Sequence, residues 1–153
     1  MDELEKDIVA YLNENNFCVL TTSDNNVPHA TPIHYGNIGL DIVILTSSGI
    51  KLKTIPKNNR VSLAVSSPTP ENYGTDITRG VQIEGRAELI PYGDEGFENL
   101  IKDSGLLRFL SSIGISRISQ TAKVIKVVPD SIKFIDLTRK DSKEMARWWR
   151  RAE

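Results

Sequence analysis

Val81-Gln82-Ile83-Glu84-Gly85-Arg86-Ala87-Glu88-Leu89-Ile90 sets Val81, Ile83, Gly85, Ala87 and Leu89 on one side of an extended chain. Gln82, Glu84, Arg86 and Glu88 fall on the other side. Side chains alternate across a strand with period two, so this stretch predicts a half-buried β-strand. Immediately upstream, Val61, Leu63 and Val65 alternate with Ser62, Ala64 and Ser66 in the same way. Downstream, Lys123–Val128 and Ile132–Leu137 read as two strands separated by Pro129-Asp130-Ser131. Nearer the N-terminus, Phe17–Thr22 is aromatic and β-branched and leads into a turn at Ser23-Asp24-Asn25-Asn26. Val27–Tyr35 is extended, with Pro28 and Pro32 placed as on an edge strand or a bulge. After a turn at Gly36–Gly39, Asp41–Thr46 is almost continuously apolar, which predicts cover on both faces.

Helical patterns flank these strands. Leu4, Ile8 and Leu12 recur every four residues, predicting a helix over residues 2–14, within an N-terminal segment 1–16, with Asp2 as its cap. Ile50–Ile55 predicts one or two helical turns stopped by Pro56, and Asp94–Ile113 a longer helix broken at Gly105. Lys140–Arg151, within a C-terminal arm 139–153, predicts a short basic helix carrying Trp148 and Trp149. Ser67–Thr78 is a long polar connection in which Tyr73 is a candidate for closing over a groove. Most links between strands are too short for parallel crossovers, so the sheet should be antiparallel. Six or so short strands favour a nearly closed barrel, because closure removes exposed edges. The expected class is mainly β with flanking helices (α+β).

The 153 residues suit one domain, 1–153, and 25% charged residues is ordinary globular composition. Nineteen basic and twenty acidic side chains leave a net charge of -1, so no field of one sign attracts nucleic acid or an anionic bilayer. The only cysteine, Cys18, lies in an apolar run and reads as core. The acidic start Met1–Asp7 lacks the apolar stretch of a signal peptide, and no run approaches membrane-spanning length. A cytoplasmic protein without membrane or nucleic-acid partners is expected.

Phosphate loops, dinucleotide-binding turns, nucleophile elbows and paired cysteines are all absent. His29 and His34 are the two histidines, and their odd spacing on a strand sends them to opposite faces, against a shared metal. Thr46-Ser47-Ser48-Gly49-Ile50-Lys51-Leu52-Lys53 carries the chemistry instead. Hydroxyls, free backbone N–H groups at a helix start and lysine charge together suit a phosphate; solvated lysines are the alternative reading. Lys51 and Lys53 are two apart and do not share a helix face, so one of them is central.

In order and separation, several segments resemble the pyridoxamine 5′-phosphate oxidase-like family of flavin-binding split barrels. These are Phe17-Cys18-Val19-Leu20-Thr21-Thr22, Pro28–Tyr35, Ile44-Leu45-Thr46 followed by Lys51, Asn58–Leu63, Val81–Glu88 and Val127-Val128-Pro129. The resemblance implies a homodimer with FMN in the groove between subunits, and an oxidoreductase acting on a small molecule. Carried onto this chain, Thr31, Pro32, Ile33 and His34 would offer backbone contacts along the isoalloxazine ring. Thr46 and Ser47 would approach the ribityl chain or phosphate, Lys51 would be the phosphate cation, and Lys53 a secondary one. The deazaflavin F420 is an alternative cofactor, and a non-enzymatic flavin-binding module an alternative role. Ile50 stands where many members carry arginine, and Gly80 where the oxidase proper has glutamine. The oxidase's C-terminal arginine and histidine cluster has no counterpart, so pyridoxamine phosphate is not the expected substrate.

Overall fold

The computed structural model describes residues 1–67, 78–139, 141 and 143–153, so the connection around Tyr73 lies outside the described residues. Helix α1 spans Glu3–Glu14, and the strands β1 Phe17–Asp24, β2 Val27–His34, β3 Gly36–Ile38 and β4 Asp41–Thr46 follow. Next come α2 (Lys51–Thr54), β5 (Arg60–Ser67), β6 (Arg79–Pro91), α3 (Phe97–Asp103), α4 (Leu106–Ser112), β7 (Lys123–Asp136) and β8 (Ala146–Arg150). The sheet has eight strands rather than six or so, in the order β2-β1-β5-β6-β7-β4-β3, with β8 added to β7. All pairings are antiparallel. β2 and β4, from opposite ends of this order, approach each other without pairing, which makes the barrel split rather than closed.

Local chemistry accounts for the boundaries. The Asp2 carboxylate accepts from Glu5 N at 2.8 Å and caps α1, an interaction typically contributing about 1 kcal/mol. Asn25 and Asn26 both have positive φ, so the β1–β2 turn needs only these two residues and the strands run up to Asp24 and Val27. Pro28 and Pro32 sit on β2, which pairs with β1 alone, so their missing N–H groups cost no second ladder.

Two hydrophobic clusters fill the described interior. Ile8, Tyr11 and Leu12 of α1 close one side of the barrel, packing with Leu20, Ile42, Ile44, Ile83 and Ile132. Tyr35 Oη donates to the Leu12 carbonyl at 2.8 Å and ties α1 to the strands. A second cluster joins Val43 and Val124 to Phe97, Ile101, Leu106 and Leu110 of α3 and α4. Ile42, Val43 and Ile44 are therefore all 0% exposed, the two-sided cover that the apolar run predicts. Cys18 is buried in the first cluster, and burial pushes its thiol up to about 12.

Two expectations are corrected. Pro129-Asp130-Ser131 does not separate two strands: β7 is continuous from Lys123 to Asp136, and Pro129 sits where the β6–β7 register shifts between Glu84 and Gly85. A bulge absorbs the proline without ending the strand. The C-terminal arm is not a helix. Ala146–Arg150 is strand β8, pairing with Ser131–Ile135 of β7. Its alternation decides this: Trp149 is buried in the barrel core and donates Nε1 to Glu5 at 2.7 Å, while Trp148 is exposed on the other face. Lys140, where that helix was to begin, is outside the described residues.

Gly85 holds the bend. A Cβ there would lie 2.4 Å from the Val128 carbonyl oxygen, a backbone atom that cannot yield without breaking the ladder. Gly85→Ala is expected to destabilise the fold by about 2 kcal/mol or more, measured by urea unfolding. A loss no greater than that of an exposed strand substitution would contradict this role.

Candidate functional site

The site begins where β4 ends. Thr46 Oγ1 donates to the Ser48 carbonyl at 3.1 Å, and Gly49 turns the chain at φ +108 into α2. This turn folds Lys51 back on itself, so that Nζ donates to the same Ser48 carbonyl at 2.9 Å. A Cβ on Gly49 would stand 2.6 Å from Lys51 Nζ, so the glycine leaves the space the ammonium occupies. Lys51 is 6% exposed, and among the described residues no carboxylate is paired with it. Desolvation lowers its pKa from the ordinary lysine value of 10.5. Lys53, two residues on, is exposed to solvent. Ser47 is exposed at the mouth of the turn. The structure thus separates the two lysines: one is a desolvated cation beside hydroxyls, the other a surface charge.

β2 supplies the second wall. Its residues alternate, with Thr31 and Ile33 half-buried toward the barrel and Pro32 and His34 exposed. Thr31–His34 therefore do not present four side chains to one ligand; a ligand on the open face meets Pro32, His34 and the backbone. His34 is tightly held for an exposed residue. Its ring lies 4.8 Å from that of Phe17 and 4.3 Å from that of Phe109. Nδ1 is 3.2 Å from the Asn16 carbonyl, which only accepts, so Nδ1 carries the hydrogen and Nε2 is left open. His29 points away from His34, and the described residues contain no group of three or more metal-ligating side chains.

Beside His34 lies a cavity of about 490 Å³ between the end of α1, β3 and α4. Asn16, Tyr35, Asn37, Arg108 and Phe109 line it. Asn37 is held by Asn13 and by the Gly39 carbonyl, at 2.9 and 3.0 Å. Gly36 allows α3 to approach, since a Cβ there would meet the Ser104 carbonyl oxygen at 2.4 Å. None of these cavity residues is singled out by sequence reasoning. Arg108 and Phe109 sit in a helix pattern that shows only its buried face, and α4 is carried to β3 by tertiary packing.

The turn fits a phosphate, because a buried ammonium without a counter-ion gains most from an anion. The exposed β2 face and the neighbouring aromatic rings fit a planar ring system. Arg79 is paired with Glu14 at 3.2 Å, so its charge is taken within the protein. Arg147 and Arg139 of the C-terminal segment both reach Asp7, at 3.0 and 3.1 Å, so much of that segment's charge is neutralised. None of the described helices is long and apolar enough to cross a membrane.

Comparison with known proteins bears on the fold and the family. A structure from Listeria innocua described as a putative pyridoxamine 5′-phosphate oxidase is 24% identical, with a TM-score of 0.68, over 88% of this chain and 99% of that one. A FAD-binding protein from Mesorhizobium loti is 19% identical, with a TM-score of 0.66, over 86% and 92% of the two chains. The heme storage protein HutZ of Vibrio cholerae is 17% identical, with a TM-score of 0.66, over 84% and 91%. At these identities the likeness is one of fold. No curated protein matches the chain in sequence. The model of the family described as pyridoxamine 5′-phosphate oxidase matches residues 4–136, from the first turn of α1 to the last residue of β7. A split antiparallel barrel whose fourth strand ends in a phosphate-compatible lysine turn, matched over nearly its whole length, places this chain in the pyridoxamine 5′-phosphate oxidase family.

Proposed function

We propose that the protein binds FMN with its phosphate at Lys51 and acts as a dimeric oxidoreductase on a small molecule held in the cavity beside His34. The observation that carries this reading is Lys51 itself: an ammonium kept 6% exposed, with a single carbonyl contact, at the end of a strand. A lysine left without a carboxylate in such a place is costly unless an anion compensates it. Thr46 and Ser47 stand next to it for the ribityl chain or phosphate, and Pro32, His34 and the Thr31–Ile33 backbone for the ring. Bound flavin would supply two-electron hydride chemistry. The chain's own residues would orient the ring, and Arg108 would hold an anionic group of the substrate while the Asn16 and Asn37 side chains contact its polar atoms.

A dimer is favoured by the outer sheet face. Val19 lies opposite Ala64, Ala64 opposite Gln82, Gln82 opposite Lys133 and Lys133 opposite Trp148, a row across five strands. Val19 and Trp148 at its two ends are 37% and 54% exposed, and Phe17, two residues before Val19 on the same strand, is 50% exposed. A second copy covering this face would remove them from water.

The protein as purified should be yellow, release FMN on denaturation by mass spectrometry, and sediment as a dimer. Colourless protein that takes up F420 instead would reassign the cofactor. Lys51→Ala should weaken FMN binding by about tenfold or more, whereas Lys53→Ala should change it little; equal affinities would remove the assignment of Lys51. Val19→Asp should shift the sedimenting species toward monomer.

Lys51 should also leave a signature in the flavin-free protein. Its folded pKa is lowered, so the unfolded chain holds the proton to higher pH than the folded one. The cost of the buried charge is fully present below the folded value and is relieved as pH rises from there toward 10.5. Lys51→Met should therefore be the more stable protein at pH 7, with its advantage shrinking through that alkaline window. Thermal unfolding of both proteins across pH checks this, and a constant difference would contradict it.

A further inference from the structure

A second place on the molecule carries ligand-binding chemistry that the flavin reading does not use. The β1–β5 ladder runs from Val19–Ala64 to Thr21–Ser62 and stops there, although β1 continues to Asp24 and β5 begins at Arg60. Where the strands separate, a cleft of about 220 Å³ opens beside the bulged Gly85 of β6. The Asn58 amide spans the separated ends, donating to the Ser23 carbonyl at 2.9 Å and accepting from Arg60 N at 3.1 Å. Those backbone groups are satisfied within the protein, so recognition in the cleft falls to side chains.

Two features of these side chains point to an occupant. Thr22 lines the cleft at 2% exposure, and its Oγ1 has no hydrogen-bond partner, a loss of about 1–3 kcal/mol for a buried hydroxyl if nothing compensates it. Arg60 and Glu84 also line the cleft. Glu84 lies opposite Ser62, and Arg60 is two residues along, so they are diagonal neighbours across the β5–β6 ladder. Opposite charges so placed, with Cβ atoms typically about 7–8 Å apart, are within reach of one another. Yet they form no ion pair, while the adjacent Arg86 takes Asp130 at 3.0 Å. Both side chains are exposed at the same opening and do not neutralise each other.

We propose that this cleft binds a small zwitterion of free α-amino-acid size. The ligand's carboxylate meets Arg60, its ammonium meets Glu84, and the Thr22 hydroxyl contacts the end that enters deepest. A lone anion would face Glu84, and a lone cation would face Arg60, so a molecule carrying both charges is the one that satisfies both walls. The volume agrees, being below the roughly 300–1,000 Å³ of sites for drug-sized molecules. Thr21 and Ser62 add hydroxyls on the outer side.

The test is thermal unfolding of the full-length protein titrated with glycine, serine and glutamine, with acetate and methylammonium chloride as singly charged probes. At least one amino acid should raise the midpoint in a saturable manner at millimolar concentration, as any ligand that binds only the folded state does. Arg60→Ala and Glu84→Gln should each weaken that binding by about tenfold or more, and Thr22→Val should weaken it while raising the midpoint of the ligand-free protein. No saturable shift with any of the three amino acids would overturn the proposal. So would a shift that persists in both charge variants, or one that acetate alone reproduces. The flavin spectrum is read in the same samples, so failure here is distinguishable from absence of flavin.

Discussion

The close approach of Gly85 to the Val128 carbonyl governs how the strands of this barrel are shared. β7 needs three neighbours: β6 along its full length on one edge, and β4 then β8 in succession on the other. A flat strand would carry one partner along that second edge. The bulge between Glu84 and Gly85 bends the β6–β7 pair at Pro129, and the two halves of β7 face different directions. One half then receives β4 and so sets where Lys51 emerges; the other receives β8 and brings Trp149 under α1. A side chain at position 85 would press on both arrangements at once.

The second constraint is electrostatic. The 47–51 turn places an ammonium out of water with one carbonyl for company, and its pKa falls accordingly. Stability alone would favour an apolar residue there, as large as lysine and without its charge. Keeping the charge makes sense if the turn is finished by an anion, since the desolvation already incurred then strengthens the contact. Elsewhere the protein treats its cations differently. Arg139 and Arg147 converge on Asp7 and Arg79 on Glu14, which joins α1 to the rest of the protein, while Arg86 meets Asp130 within the sheet. Lys51 differs from these in being buried, and Arg60 and Glu84 in lying close without an ion pair.

Much of the barrel was legible because half-buried strands announce themselves. Val81–Ile90, Val61–Ser66 and Asp41–Thr46 each show a burial pattern that follows from side-chain alternation or from cover on both faces. The α1 cap at Asp2, the break at Gly105 and the burial of Cys18 were readable for similarly local reasons. The arm reads as a helix because Trp148 and Trp149 among arginines give no alternation until the burial of Trp149 distinguishes them. Pro129 reads as a strand end, because its place in β7 depends on the register shift against Glu84 and Gly85 of β6, residues far away in sequence.

What the amino-acid sequence determined on its own is therefore the local conformations, the antiparallel class and the lysine turn after β4, since these depend on neighbours within a few residues. Only the tertiary structure decided that Lys51 is buried and Lys53 is not, and that Pro32 and His34, rather than four residues together, face outward. It also brought Arg108 to the cavity beside His34 and set Arg60 and Glu84 together at the rim of the β1–β5 cleft without an ion pair. Burial and pairing of charges depend on residues far apart in the chain, and no local pattern records which of them will meet.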